Sequence, residues 1–329
     1  MSGYPYIDVM RIVASILVVT IHTAPFEMLC PPFDFVLTKI IARLAVPFFF
    51  VTSGYFLFKD GYPSLNKVKK TCLSLLKYYF LSIIIYLPVM IYNQYFYSKN
   101  ILFEMVKDFV VDGMFYRLWY FPAVIIGIVI IVIFKKYFST NFVMALAFVL
   151  YMIGICGDSY YGFVRDIPVL KDQFAFLFQY MDYTRNGIFF APLFLMIGVR
   201  ISEYQPLLTK KGTVFLAIIS FLIMSIEAVV VHMMDAPRHD AMYLFLPLVT
   251  YFLFLLLMRY KGRRYPRLKT LSLYIYILHP LVIIGVRMFA KLLHIQSFLN
   301  QQFIQFIIVC FLTISISFVI DKVIHHENI

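Results

Sequence analysis

Charged residues are scarce in this sequence, and their scarcity excludes the soluble classes of protein. Only 14% of the 329 residues are charged, whereas a soluble domain has about 25%. Apolar residues make up 62% of the chain, and its mean hydropathy is +0.86. The apolar runs are about 17–22 residues long, which suits helices that cross a bilayer, and they lack the two-residue alternation of an outer-membrane barrel. The chain is therefore predicted to be an integral membrane protein.

Cysteines and long polar connections are also few. Cys30, Cys72, Cys156 and Cys310 show no Cys-x-x-Cys spacing, so we expect neither a metal site nor a disulfide. Ten spans at about 33 residues each would use all of residues 1–329, which leaves no room there for a soluble catalytic domain.

The apolar runs predict an all-α polytopic membrane protein with about ten transmembrane helices in a single domain, residues 1–329. We expect the first run to stay as a span rather than to be cleaved, because Asp8 and Arg11 lie at its start and no small-x-small site follows. The predicted spans are residues 7–25, 38–58, 73–93, 117–134, 141–157, 184–201, 212–231, 241–258, 270–289 and 301–320. The segment 101–115 is predicted to hold a short interfacial helix.

Lysine and arginine predict the orientation of these spans. The connections after even-numbered spans hold 15 basic residues and those after odd-numbered spans hold 7. Because basic residues favour the inner side of a membrane, the even connections and both termini are predicted to be cytoplasmic. The formal charge of +12 then reflects topology and contact with anionic lipid headgroups, and no nucleic-acid partner is expected.

The first span carries the most ionisable side chains. Asp8, Arg11, Ser15 and His22 fall on one helix face, with Arg11 and His22 about 16 Å apart along the axis. Intramembrane ionisable groups usually face the bundle interior, and a neutral His22 could take a proton from a hydroxyl. The same side chains could instead fix helix packing, and the residues alone leave both interpretations open.

The second span contains Pro47, which is expected to kink the helix, and the small residues Thr52, Ser53 and Gly54. Small residues let a neighbouring helix or a ligand approach closely. Packing is the simpler interpretation, although Ser53 is also a candidate ligand-binding residue.

Four stretches of the chain together resemble a known family. They are Arg11-x10-His22, the segment 46–55 (Val-Pro-Phe-Phe-Phe-Val-Thr-Ser-Gly-Tyr), the segment 118–122 and the segment 272–280. These motifs resemble the acyltransferase-3 membrane family over nearly the whole chain. Three further blocks, 157–159, 185–195 and 239–247, resemble more narrowly the membrane domain of the VanT-type serine racemases of vancomycin resistance.

The resemblance implies two different activities. Acyltransferase-3 proteins transfer acyl groups from a cytoplasmic donor, usually acyl-CoA, to an extracytoplasmic acceptor, and their first-span Arg and His match Arg11 and His22. VanT-type proteins join a ten-span membrane domain to a cytoplasmic racemase domain that uses pyridoxal phosphate (PLP) to make D-Ser. Their membrane part is thought to bring L-Ser to that domain.

The chain departs from these families in two respects. It ends at Ile329, just after the tenth predicted span, so the PLP-binding racemase domain lies outside this sequence and no cofactor is expected within it. Many acyltransferase-3 members have Asp where this chain has Pro47, which weakens the transferase interpretation.

The other intramembrane polar groups gather at the predicted outer ends of the spans. A serine zwitterion needs a cation for its carboxylate, which Arg185 could supply with two hydrogen bonds, and an acid for its ammonium group, for which Glu227, Asp182 and Asp240 are candidates. Arg185 is expected to start the sixth span, where a helix N-terminus favours an anion. The predicted substrate-binding residues are Ser53, Arg185, Asn186, Glu227, His239, Asp240 and His279.

Three hypotheses about function therefore stand at this stage. The first is a membrane domain that takes up L-Ser for a cytoplasmic racemase domain. The second is an acyl-CoA-dependent O-acyltransferase with His22 and Arg11 as catalytic residues. The third is an anchor that only localises the racemase. The residues leave homodimerisation open, and the expected location is the cell membrane.

Overall fold

In the computed structural model the protein is almost entirely helical. The structure describes residues 2–115, 118–204, 207–295, 298 and 300–326. Within those residues, seven helices are long and apolar enough to cross a membrane, and further apolar helices are shorter. This confirms a helical, multi-pass membrane protein.

Every predicted span overlaps a helix. The helices that overlap the predicted spans are α1 (Pro5–Thr23), α3 (Ala45–Phe58), α4 (Leu65–Tyr92), α6 (Tyr120–Tyr137), α7 (Thr140–Cys156), α10 (Ala191–Glu203), α11 (Lys210–Met233), α12 (Leu246–Met258), α13 (Pro266–Leu292) and α14 (Gln302–His326). Further helices lie in the connections: α2 (Pro31–Phe35), α5 (Ile101–Lys107), α8 (Tyr161–Val164) and α9 (Pro168–Tyr180). Two short strands, β1 (Ser2–Gly3) and β2 (Gly262–Arg263), pair antiparallel.

Three predicted spans start five or more residues before the observed helix, and the predicted third span starts eight residues after the start of its helix, because α4 begins at Leu65. The sixth helix begins at Ala191 rather than at residue 184, and the eighth begins at Leu246 rather than at residue 241. Both are only 13 residues long, because polar turns occupy the first part of each apolar run. In the second span, π-helical and 3-10 turns over Val36–Leu44 precede α3, so Pro47 lies in the first turn of α3 rather than at a kink in its middle.

The helices divide into two compact units. The first unit comprises residues 1–46 and 253–329, and the second comprises residues 47–252. In the first unit α1, α13 and α14 pack together around an apolar core of Val19, Ile275, Ile283 and Val309.

In the second unit α10 is the central helix. Every residue from Ala191 to Val199 is buried, because α10 packs against α6 and α7. It also meets α3 closely: a Cβ atom on Gly198 would overlap the Val51 carbonyl, and one on Gly54 would overlap the Leu195 carbonyl. The small residues of the second predicted span therefore admit a neighbouring helix.

The predicted interfacial helix lies where the sequence places it. α5 begins at Ile101, and a π-helical turn continues it over Asp108–Asp112. Gly113 ends this segment with a φ of +87°, a left-handed conformation that residues with a side chain rarely adopt.

Candidate functional site

In the first unit, α1 and α13 run parallel and meet at intervals of two helical turns. Asp8 accepts a hydrogen bond from the Tyr265 backbone N–H (2.9 Å), and Ser15 donates to the Ser272 carbonyl (3.0 Å). Seven residues further on, the rings of His22 and His279 stack. Because seven residues make about two turns, these contacts fall on one face of each helix.

Arg11 lies within this row of contacts and forms a buried ion pair. Its guanidinium group is 2.5 Å from the Asp8 carboxylate, and Arg11 and Asp8 are only 6% and 1% exposed. Since Asp8 also binds the chain at Tyr265, this ion pair ties the start of α1 to the start of α13.

His22 and His279 come together as a stacked pair. Their ring centroids are 5.3 Å apart with an interplanar angle of 19°. His279 is fully buried, and its Nδ1 lies 3.1 Å from the Ile275 carbonyl, whereas His22 is half-buried. The structure thus assigns two of the predicted site residues to one place in the first unit.

In the second unit, two buried acids hold polar turns through backbone N–H groups. Asp158, fully buried, accepts hydrogen bonds from Ser159 and from the backbone of Ala241 (2.7 Å) and Met242 (3.0 Å). Ser159 in turn donates to the His239 carbonyl. These bonds bring the segment 239–242 against the end of α7.

Glu227 plays the same part for the next turn. Its carboxylate accepts from the backbone N–H groups of Leu244 (2.5 Å) and Phe245 (3.1 Å) and from the Tyr160 hydroxyl (2.9 Å). Burial, and the nearby charge of Glu227, raise the pKa of Tyr160, so its hydroxyl stays protonated and donates. A lone carboxylate in an apolar run such as residues 223–226 would need a cation, but three hydrogen-bond donors satisfy Glu227 at the N-terminus of α12, where a negative charge is favoured.

Arg185 and Asn186 lie in the turn before α10. Because α10 begins at Ala191, the expectation that Arg185 opens this helix is wrong. Asn186 is buried and shapes the turn, since its side chain accepts from the N–H groups of Ile188 and Phe189 and donates to the Tyr183 carbonyl.

The guanidinium group of Arg185 lies against aromatic rings. Its central carbon is 4.2 Å from the Tyr183 ring centroid and 5.7 Å from that of Trp119. His239 adjoins these residues, since its ring centroid lies 4.6 Å from that of Tyr183. Rings hold a planar cation in one orientation, so this arrangement presents a fixed fork of N–H donors that suits a carboxylate. We call Trp119, Tyr183, Arg185 and His239 the arginine site.

The remaining predicted residues have simpler surroundings. Asp240 is half-buried and adjoins His239 along the chain. Ser53 donates its hydroxyl hydrogen bond to the Phe49 carbonyl of its own helix. Asp182 is paired with Lys107 (2.7 Å).

A cavity of about 380 Å³ lies elsewhere in the second unit. It is lined by Phe58, Gly61, Tyr62, Lys135, Lys136 and Glu203. Its lining contains none of the predicted site residues, and the Lys135–Glu203 ion pair (2.7 Å) forms part of its wall. We assign no ligand to it.

The structure reveals polar residues that the sequence analysis assigned no role. Asp158, Tyr160 and Tyr183 all organise the turns around the arginine site through the contacts above. A sequence signal existed for Asp158, because an acid at the end of an apolar run needs buried donors. None existed for the two tyrosines, since tyrosine is abundant in this chain, with 25 residues.

The chain is similar to known proteins over most of its length. The family model described as an acyltransferase domain matches residues 4–322. Two amino-acid racemases of Enterococcus faecalis are 38% identical over 307 residues and 37% identical over 330 residues, and a serine/alanine racemase of Enterococcus gallinarum is 37% identical over 314 residues. These alignments cover 89%, 98% and 94% of this chain but only 43%, 46% and 44% of the relatives, so the chain spans less than half of their length. No solved structure matches it.

Proposed function

This chain belongs to the acyltransferase-3 family, and from that premise we propose that it is the membrane domain of a serine racemase, which binds L-Ser and takes it up for a cytoplasmic racemase domain. The racemase domain would carry PLP and make D-Ser for the cell-wall precursors of vancomycin-resistant cells. The membrane domain would lie in the cytoplasmic membrane.

One observation carries this proposal: the arginine site. A guanidinium group packed against two aromatic rings loses little freedom when a carboxylate binds it, so a small amino acid can be held with two parallel hydrogen bonds. Asp240, beside His239, supplies an acid for the ammonium group. The names of the relatives support an amino acid as the ligand.

The test is L-Ser binding and uptake by the purified chain in proteoliposomes. Replacing Arg185 with Lys keeps the charge but removes the planar fork, so Arg185→Lys should weaken L-Ser binding about tenfold or more while the protein stays folded. Arg165→Lys is the matched control, because Arg165 is exposed on a neighbouring connection. Binding is measured by calorimetry and folding by thermal unfolding.

Two outcomes would contradict the proposal. The first is an unchanged affinity for L-Ser in a folded Arg185→Lys protein. The second is an absence of L-Ser binding in the unaltered chain, combined with consumption of acetyl-CoA in the same proteoliposomes.

The second outcome would favour acyl-CoA-dependent O-acyl transfer, the alternative function. The observation in its favour is the stacked pair of His22 and His279 on the same helices as the Arg11–Asp8 ion pair. In that case His22 would be the general base for an acceptor hydroxyl. We prefer the first function because the curated relatives carry racemase names.

A further inference from the structure

The arginine site is bordered by a buried carboxylate, that of Asp112. Asp112 is 4% exposed, and its two oxygens accept hydrogen bonds from the backbone N–H groups of Asp182 (2.8 Å) and Tyr183 (3.4 Å). Tyr183 provides the ring closest to the guanidinium group of Arg185. Asp112 therefore holds the backbone of Tyr183, one of the two aromatic residues that orient Arg185.

The same segment also contacts the backbone of Trp119, whose side chain is the second ring near Arg185. Gly113 follows Asp112, and a Cβ atom on Gly113 would lie 2.6 Å from the Trp119 nitrogen. This contact leaves no room for a side chain, so the backbone at Gly113 packs directly on that of Trp119. The segment is itself anchored, because the Met114 N–H donates to the Tyr79 hydroxyl (2.9 Å).

Asp112 belongs to a cluster of charges that we call the acid clasp: Lys107, Asp108, Asp112 and Asp182. Carboxylate oxygens of its three acids lie within 4.8 Å of one another. The Lys107 ammonium group is 2.7 Å from Asp182 and 4.0 Å from Asp112, so the clasp contains its own cation.

Other polar groups face the clasp from each element packed against it. Tyr95 donates to Asp108 (2.7 Å), and Arg238 donates to the Asp182 carbonyl (3.2 Å). Glu104 lies close enough to act on Asp108 through its charge, and the Tyr79 hydroxyl donates to the Asp108 carbonyl (3.4 Å).

Burial raises the pKa values of two acids of the clasp. Burial, only partly offset by the hydrogen bond from the Asp182 backbone, raises the pKa of Asp112 to about 6. Burial likewise raises the pKa of Asp108. For Lys107, burial favours the neutral form, but the hydrogen bond to Asp182 and the negative charges of Asp182, Asp112 and Asp108 together outweigh it, so the pKa of Lys107 is raised.

We propose that Asp112 is a positioning residue that holds Tyr183 and Trp119 around Arg185, and that protonation of the acid clasp loosens this arrangement and weakens binding at Arg185. The ligand in this proposal rests on the proposed function, whereas the positioning role does not. An ionised carboxylate accepts both N–H groups, but a protonated one has a single oxygen left as a good acceptor. The longer bond, to Tyr183, is then the one lost.

The first experiment uses tryptophan fluorescence. Trp119 is the only tryptophan of the chain, so its emission reports on the arginine site alone. Emission of the purified chain is followed from pH 8 to pH 4.5. We expect a transition with its midpoint near pH 6 in the unaltered chain and in Asp172→Asn, an exposed acid on α9. Asp112→Asn should abolish it.

Two further variants test whether the transition arises from Asp112 or from a neighbouring residue. Asp182→Asn removes a charge that raises the pKa of Asp112, so the midpoint should move to lower pH. Because an imidazole also changes charge in this range, His239→Gln is measured in parallel and should keep the transition. Loss of the transition in His239→Gln, or its survival unchanged in Asp112→Asn, would overturn the proposal.

The second experiment follows L-Ser affinity over the same pH range. In the unaltered chain we expect affinity to fall about tenfold between pH 7 and pH 5, and in Asp112→Asn to stay constant. Unfolding would not explain the fall: a pKa raised in the folded state contributes stability at low pH that is lost as the pH rises through about 6. The thermal unfolding temperature should therefore rise on acidification while affinity falls.

The two experiments distinguish a failure of the proposed function from a failure of the positioning role of Asp112. A Trp119 transition that depends on Asp112, in a protein that binds no L-Ser at any pH, would refute the proposed function and leave the positioning role intact. L-Ser binding that is independent of pH, without a Trp119 transition, would refute the positioning role and leave the proposed function intact.

Discussion

At the scale of single residues, the buried acids of the second unit serve as acceptors for backbone N–H groups. Asp112, Asp158 and Glu227 each accept two such bonds. Two or three hydrogen bonds offset much of the cost of removing a carboxylate from water. A buried acid in a membrane protein is thus a structural candidate as well as a ligand-binding one.

Glu227 allows these two roles to be separated. In Glu227→Gln one carboxylate oxygen becomes an NH₂ group that faces an N–H donor, so the free energy of unfolding should fall by about 1–3 kcal/mol. L-Ser affinity of the folded protein should not change. The measurements are thermal unfolding and calorimetry.

The matched control is Glu203→Gln. Glu203 is exposed and pairs with Lys135, so its loss should cost at most about 1 kcal/mol. A stable Glu227→Gln protein that binds L-Ser weakly would instead assign Glu227 to the ammonium group of the ligand.

At the scale of elements, the close crossing of α3 and α10 depends on two glycines. A Cβ atom on Gly198 would meet the Val51 carbonyl and the Tyr55 nitrogen, which are backbone atoms and cannot move independently of the helix. In a membrane, helices associate largely through such close packing, because lipid supplies no hydrophobic force between them.

Gly198→Ala should therefore destabilise the protein, by about 1–3 kcal/mol or more, because α3 and α10 must separate. Gly285→Ala, on α13, is the matched control: nothing lies within 4 Å of its Cβ position, and alanine is the better helix former. Thermal unfolding of both variants checks this. Equal stability of the two would show that the α3–α10 contact tolerates a methyl group.

The parallel course of α1 and α13 is a second feature at this scale. Contacts at Asp8, Ser15 and His22 recur every seven residues and meet Tyr265, Ser272 and His279 in the same order. The predicted topology has the first and ninth spans crossing in the same direction, and the parallel helices agree with it.

At the scale of the whole molecule, the orientation in the membrane remains a prediction. We expect cysteines placed at Asp60 and Lys261, in a variant without the four native cysteines, to be shielded from an impermeant thiol reagent in intact cells. A cysteine at Asp166 should react. All three positions are exposed, so accessibility depends only on the side of the membrane.

The physical reason is the distribution of lysine and arginine between the connections. Labelling at Asp60 and Lys261 but not at Asp166 would invert the topology. An inverted protein would present the arginine site to the cytoplasm, which is incompatible with uptake from outside.

The sequence by itself determined the class of the protein and the approximate place of each helix. Hydropathy acts over about 20 residues and needs no knowledge of neighbours, so every predicted span meets a helix. Helix ends were less certain, because the turns before α10 and α12 close with apolar residues, such as Phe190 and Phe245, that continue directly into the apolar helix. Arg185 illustrates this: the run of apolar residues after it predicted a helix start, whereas the side chain of Asn186 forms a turn there.

Only the tertiary structure decided the partners of the polar side chains. Glu227 looks like an isolated charge in its helix, and the backbone donors that satisfy it come from residues 244 and 245 on another segment. His22 and His279 are separated along the chain and meet because α1 and α13 run parallel in register. Hydropathy is a property of one segment, but the partner of a buried charge depends on which segments the fold brings together.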